Sequence, residues 1–188
     1  MSRPIVVLLC GPHKNGHNGA WSAENILFHR PDAALAEAKR LRVPLIIAGD
    51  GWNGEDVNFF WRYAYNQKVL AVIRAFDRRG GTLHDIQAAL TVLTDPLWAD
   101  INEVRFVSDP EHARVLPFAR GEAKKMLPEH RRMSFVHVAA FGGPAWSELE
   151  IEGELRGIEH YQAGVYGPPH PGLEAYGKLP LEHRQEAK

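Results

Sequence analysis

The chain has 188 residues, 22 basic and 23 acidic side chains, a formal net charge of -1, and hydrophobic and charged fractions of 45% and 24%. That length suits one domain with a sizeable core, and the even charge balance gives no pull toward nucleic acid or an anionic membrane. Cys10 is the one cysteine, which excludes an intrachain disulfide and a cysteine-based zinc site.

The first apolar run, Ile5 to Cys10, is stopped by Gly11-Pro12. It is too short for a signal-peptide core or for a membrane helix of about 20 residues, so a cytoplasmic protein is expected. Short, continuous and β-branched, it reads as a strand buried on both faces, with Cys10 as a small buried thiol. Asp32 reads as the cap of a helix over Ala33 to Leu41, closed by Pro44. Leu45-Ile46-Ile47-Ala48 repeats the strand pattern and stops at Gly49-Asp50-Gly51. Glu55 to Gln67 reads as a helix dense in aromatics: Phe59, Phe60, Trp61, Tyr63 and Tyr65. Val69 to Ile73 reads either as a fifth strand or as the end of that helix.

Gly81 precedes Thr82-Leu83-His84-Asp85, which resembles a capping box with Asp in the Glu position. Ile86, Ala89, Leu90 and Leu93 follow at helical spacing. Val104 to Val107 is a strand stopped by Ser108-Asp109-Pro110, and Pro110 sits well at the first turn of a helix over Glu111 to Met126. Phe135 to Ala139 is a strand stopped by Gly142-Gly143-Pro144. Strands alternating with helices predict βαβ units. The expected fold is a Rossmann-like three-layer α/β domain over residues 1–144, with a mainly parallel sheet of about five strands. Residues 145–188, acidic at first and then rich in Pro, Gly and His, read as an irregular C-terminal extension that packs on the domain or is partly disordered.

In such a sheet ligands bind beyond the carboxyl ends of the strands, near the switch in strand order. The loops there hold the candidate site. Gly11, Lys14 and Asn15 follow the first strand, where glycines let backbone N–H groups approach an anion and a lysine adds charge. His13 and His17 share that loop, but its Asn and Gly argue against a helix and no acidic third ligand lies nearby, so no metal is expected. Gly49, Asp50 and Gly51 place a carboxylate where ribose hydroxyls are commonly taken; the other reading is a turn aspartate. Thr82 and Asp85 open a helix whose amides would hold an anion or simply be capped. Ser108, Asp109, Glu111, His112 and Arg114 cluster where a strand turns into a helix. A histidine in the first helical turn is favoured as neutral imidazole, able to act as base or as donor; otherwise it is a surface histidine with no role.

In order, Ile5 to Gly11, Ile46 to Gly51, Thr82 to Asp85, and Val107 to Arg114 resemble the YdcF/SanA/ElyC-like domain-of-unknown-function family over about residues 4–140. Thr82-Leu83-His84-Asp85 stands where that family favours Thr-x-Glu-Asn. Arg114 stands one position early, which on a helix is a rotation of about 100°, and Arg120 is a substitute. The resemblance implies a Rossmann-like fold, and S-adenosylmethionine binding has been suggested for the group. Its members are linked to the cell envelope and many carry membrane anchors. No anchor is read here, so that role is not expected to carry over.

The expected function is binding of a small molecule, nucleotide-like or anionic, with S-adenosylmethionine or a nucleotide as candidates. Hydrolytic or group-transfer chemistry would be served by His112, oriented by Asp109 or Glu111. Redox chemistry is disfavoured because no dinucleotide fingerprint is present. The alternative is a non-catalytic homodimeric module using the aromatic helix 55–67, although such a stripe is more often core. No nucleic-acid or membrane partner is expected.

Overall fold

In the computed structural model the described residues are 3–10, 27–49, 55–77, 81–128 and 131–166. The apolar runs become the strands Pro4–Leu9 (β1), Leu45–Gly49 (β2), Val72–Phe76 (β3), Glu103–Ser108 (β4) and Ser134–Ala139 (β5). They pair in the order β3-β2-β1-β4-β5, and every pairing is parallel. The helices are His29–Leu41 (α1), Glu55–Tyr65 (α2), Thr82–Val92 (α3), Val115–Met126 (α4) and Glu148–Gln162 (α5). Among the described residues this is a three-layer α/β fold, as the sequence implies.

Successive strand side chains point to opposite faces, and β1 feeds two cores. Ile5, Val7 and Leu9 join a cluster with Leu83, Ile86 and Leu90 of α3 and Phe118 of α4. Val6 and Leu8 join Ala34, Leu35 and Ala38 of α1 and Val57 and Phe60 of α2. Burying a side chain of this size contributes roughly 1.5–3 kcal/mol, so β1 anchors both layers. Most of the aromatic stretch belongs to the second core. Phe60 is buried, Phe59 and Tyr63 lie against it with Phe28, and Tyr65 is left exposed. Cys10 is half-buried rather than fully enclosed.

Four boundaries differ from expectation, each for a local reason. α1 begins at His29, so Asp32 lies inside its first turn and accepts from Tyr63 Oη at 2.8 Å instead of capping. β3 begins at Val72 because the chain turns after α2, with Lys68 in the left-handed region at φ 57°. α4 begins at Val115, not at Glu111. Pro117 has no N–H and its ring opposes the carbonyl four residues back, so it fits only a first turn; residues 110–114 form turns instead. The segment expected as irregular after residue 145 contains α5. A capping box starts it: the Ser147 side chain accepts from Glu150 N, and Glu150 accepts from Ser147 N. No helix among the described residues is long and apolar enough to cross a membrane.

Candidate functional site

Because all five strands run the same way, their carboxyl ends share one rim. Strand order reverses between β1 and β4, so the crevice expected to hold a ligand lies beyond Leu9 and Ser108. An ion pair occupies it. Asp109, directly after β4, accepts from Arg30 Nε at 2.7 Å and Nη2 at 2.5 Å, from Trp146 Nε1 at 2.9 Å, and bonds His29 Nε2 at 2.6 Å. Arg30 Nη1 also donates to the Leu9 carbonyl at 3.3 Å, tying the two strand ends together. Burial alone would raise the Asp109 pKa; the Arg30 bonds and charge, with His29 and Trp146, overcome this and hold it well below the usual carboxylate range. Gly143 allows the arrangement, since a Cβ there would lie 2.5 Å from His29 Nε2.

On the α3 side of Asp109 lies a different cluster. His112 sits in the turn before α4, with its backbone N–H on the Asp109 carbonyl at 3.1 Å. Its Nε2 is 2.9 Å from Thr82 Oγ1 and 4.0 Å from Glu154 Oε2. Its Nδ1 is buried and has no hydrogen-bond partner among the described residues. Burial, then the charges of Arg30 and Arg114, push its pKa well below the usual histidine value of 6.5, so the ring is neutral at neutral pH. The Trp146 ring lies 5.7 Å away, centroid to centroid.

Arg114 turns inward from the α4 N-cap to an ion pair with Glu154 and donates to Tyr166 Oη at 3.0 Å. Burial opposes its charge, and Glu154 and Tyr166 more than offset that. Glu154 also accepts from the Arg114 backbone N–H at 3.2 Å; burial raises its pKa above 4.5 against the pull of Arg114. Ser108 Oγ and His137 Nε2 are 2.8 Å apart, and burial lowers the His137 pKa.

Thr82, Ser108, Asp109, His112 and Arg114 are thus brought together. Thr82 does not cap α3. The N-cap is Gly81, at φ 89°, and the Thr82 hydroxyl goes to His112. Asp85 is buried in the same first turn. Glu111 is exposed, as is Arg120 on α4. The Asp109 carboxylate is turned to Arg30, His29 and Trp146, so the polar side chains that approach His112 Nε2 are Thr82 and, at 4.0 Å, Glu154 rather than Asp109 or Glu111. Gly49 sits at the end of β2, where a Cβ would lie 2.8 Å from Asp56 Oδ2 and from Cys10 Cβ. Gly11, Lys14, Asn15, Asp50 and Gly51 lie outside the described residues. Their chain neighbours Cys10 and Gly49 do meet at the rim.

Sequence reasoning missed His29, Arg30, His137, Trp146, Glu154 and Tyr166. The readable signal was Ser147-x-x-Glu150, a capping box announcing α5 directly after Trp146. Among the described residues no group of three or more His, Cys, Asp or Glu is arranged to hold a metal. No family model matches the chain, and no curated protein or solved structure matches it.

Proposed function

We propose that this protein binds a small nucleotide-like or anionic molecule at the carboxyl rim of the sheet and acts on it by hydrolytic or group-transfer chemistry, with His112 as the proton-transfer group. One observation carries the reading: a neutral, buried imidazole at the rim whose Nε2 is held by Thr82 while Nδ1 has no partner among the described residues. Buried polar groups are nearly always paired, and an exception in a native fold points to a role. A neutral imidazole keeps a ring lone pair at neutral pH and can accept a proton as a base, becoming the cation until it passes that proton on.

The charges around it refine the ligand. Arg30 and Arg114 are both already matched, by Asp109 and Glu154. These two arginines therefore offer hydrogen bonds rather than uncompensated positive charge. Uncompensated charge for an anion would come from Lys14, and ribose-type hydroxyls would be taken by Asp50. The YdcF-like resemblance adds S-adenosylmethionine to the candidates.

The test is a thermal-shift panel of nucleotides, S-adenosylmethionine and sugar phosphates. A ligand that stabilises the wild type, but neither Asp50→Ala nor His112→Ala, supports the proposal. Silence across the panel, or equal stabilisation of all three proteins, overturns it.

A further inference from the structure

The chemistry open to His112 depends on which ring nitrogen carries its hydrogen. With hydrogen on Nδ1, that atom is a donor; with hydrogen on Nε2, Nδ1 holds a lone pair and is a base. Thr82 Oγ1, beside Nε2, does not choose between these, because a hydroxyl both donates and accepts. Glu154 favours one of them. Its Oε2 is 4.0 Å from the same nitrogen, too far for a hydrogen bond but near enough for a carboxylate charge to favour hydrogen there over a lone pair.

The surroundings of Glu154 keep it in that role. The Arg114 guanidinium and backbone N–H both donate to its oxygens. α5 is shaped to receive that arginine: a Cβ on Gly157 would stand 3.2 Å from Arg114 Cζ and Nη1, so the guanidinium lies close against the helix, and Tyr166 Oη accepts from Nη1. Glu154 is itself buried in the fold, so little water screens its effect on the ring.

We infer that Glu154 is a positioning residue that fixes His112 with hydrogen on Nε2 and the lone pair on Nδ1. Thr82 Oγ1 then accepts from Nε2–H, and the partnerless nitrogen is a base rather than a donor. The use of that lone pair rests on the function proposed above; the tautomer is a property of the ligand-free protein.

Nitrogen NMR of 15N-histidine-labelled protein tests this at neutral pH, with the His112 signals identified by their loss in His112→Gln. Protonated and bare imidazole nitrogens resonate in well-separated ranges. The expected wild-type spectrum has Nε2 in the protonated range and Nδ1 in the bare range. Glu154→Gln, whose amide can donate or accept, is expected to move both signals toward each other. Thr82→Val, which keeps the carboxylate, is expected to leave them apart. Hydrogen on Nδ1 in the wild type overturns the inference, as does a Glu154→Gln spectrum identical to wild type. Signals that merge in Thr82→Val also overturn it, and that variant decides the matter if Glu154→Gln does not fold. Failure of the thermal-shift panel with the Nε2–H pattern intact would remove the ligand and leave the tautomer standing.

Discussion

Two regions built from one loop behave in opposite ways. Asp109 faces Arg30, His29 and Trp146, and its carboxylate makes four hydrogen bonds with them. Three residues along, His112 faces Thr82 and Glu154 and keeps one ring nitrogen without a described partner. The first region is closed: opposite charges match, and the guanidinium also ties off a β1 carbonyl. The second is neutral and incomplete. In a parallel sheet of this order the crevice between β1 and β4 is the usual ligand site, yet here an ion pair fills it. The contrast teaches that matched charge at the rim serves as architecture, and it leaves the unmatched group beside it as the one to which the proposal assigns chemistry.

The largest effect expected from that contrast is in the closed region. Asp109→Ala leaves Arg30 buried and unpaired, and breaking a buried pair this way costs about 3–5 kcal/mol. Urea denaturation of the variant measures it. The double variant Arg30→Met/Asp109→Leu should lose less than Asp109→Ala alone, because a buried pair replaced by apolar groups of similar size is often close to neutral. A single-variant loss of under about 1 kcal/mol, the range of exposed pairs, would break the distinction.

Acid should separate the two regions by pH window. Burial, with the Arg30 and Arg114 charges, holds the folded pKa of His112 below 6.5. The unfolded chain therefore binds more protons just below that value, and stability falls as pH drops through it. Asp109, depressed below 3.8, contributes stability that persists above 3.8 and is lost only as pH falls toward its folded value. Glu154 has the opposite sign: its folded pKa is raised above 4.5, so its contribution shrinks as pH climbs through the window just above. Denaturation midpoints across pH should show His112→Gln flattening the slope just below 6.5 and Glu154→Gln steepening the rise just above 4.5. Unchanged slopes in both variants would mean that burial does not control these two groups.

How much of this was legible in the sequence follows from the same physics. β1, β2 and β4 are buried on one or both faces and the edge strand β5 is half-buried, so each reads as an apolar run ended by turn residues. The rim then followed from topology alone, and with it Thr82, Ser108, Asp109, His112 and Arg114. α5 did not show, because its buried residues are Gly153, Glu154 and Gly157. None of them is a large apolar residue, so no hydrophobic period marked the helix. Arg30 and Trp146 lie far from Asp109 in sequence and meet it only through folding. The helix start at Val115 was readable from Pro117, yet Pro110 looked equally suitable as a first-turn proline.

A smaller effect is expected at Ser108. Its hydroxyl meets His137 Nε2 inside the fold, and Ser108→Ala leaves that nitrogen short of a buried partner. Losses of this kind run about 1–3 kcal/mol, so chemical denaturation should place the variant between Asp109→Ala and wild type. A loss equal to that of Asp109→Ala would extend the closed region along β4 and shrink what is left for the open one.

The smallest effect sharpens the comparison most. Glu111 lies between Asp109 and His112 and carries the same charge as Asp109, but its side chain is exposed. Its structural part is backbone: its carbonyl accepts from Ala113 N at 2.7 Å, and alanine keeps that bond. Glu111→Ala should therefore change stability by no more than about 0.5 kcal/mol, the range of ordinary surface substitutions, and should leave the His112 nitrogen signals in place. Differential scanning calorimetry and the NMR spectrum check both. If removing this exposed carboxylate moved the His112 signals as far as Glu154→Gln does, control of the ring would rest with charge at long range. The 4.0 Å approach of Glu154 would then not be what sets the hydrogen on Nε2.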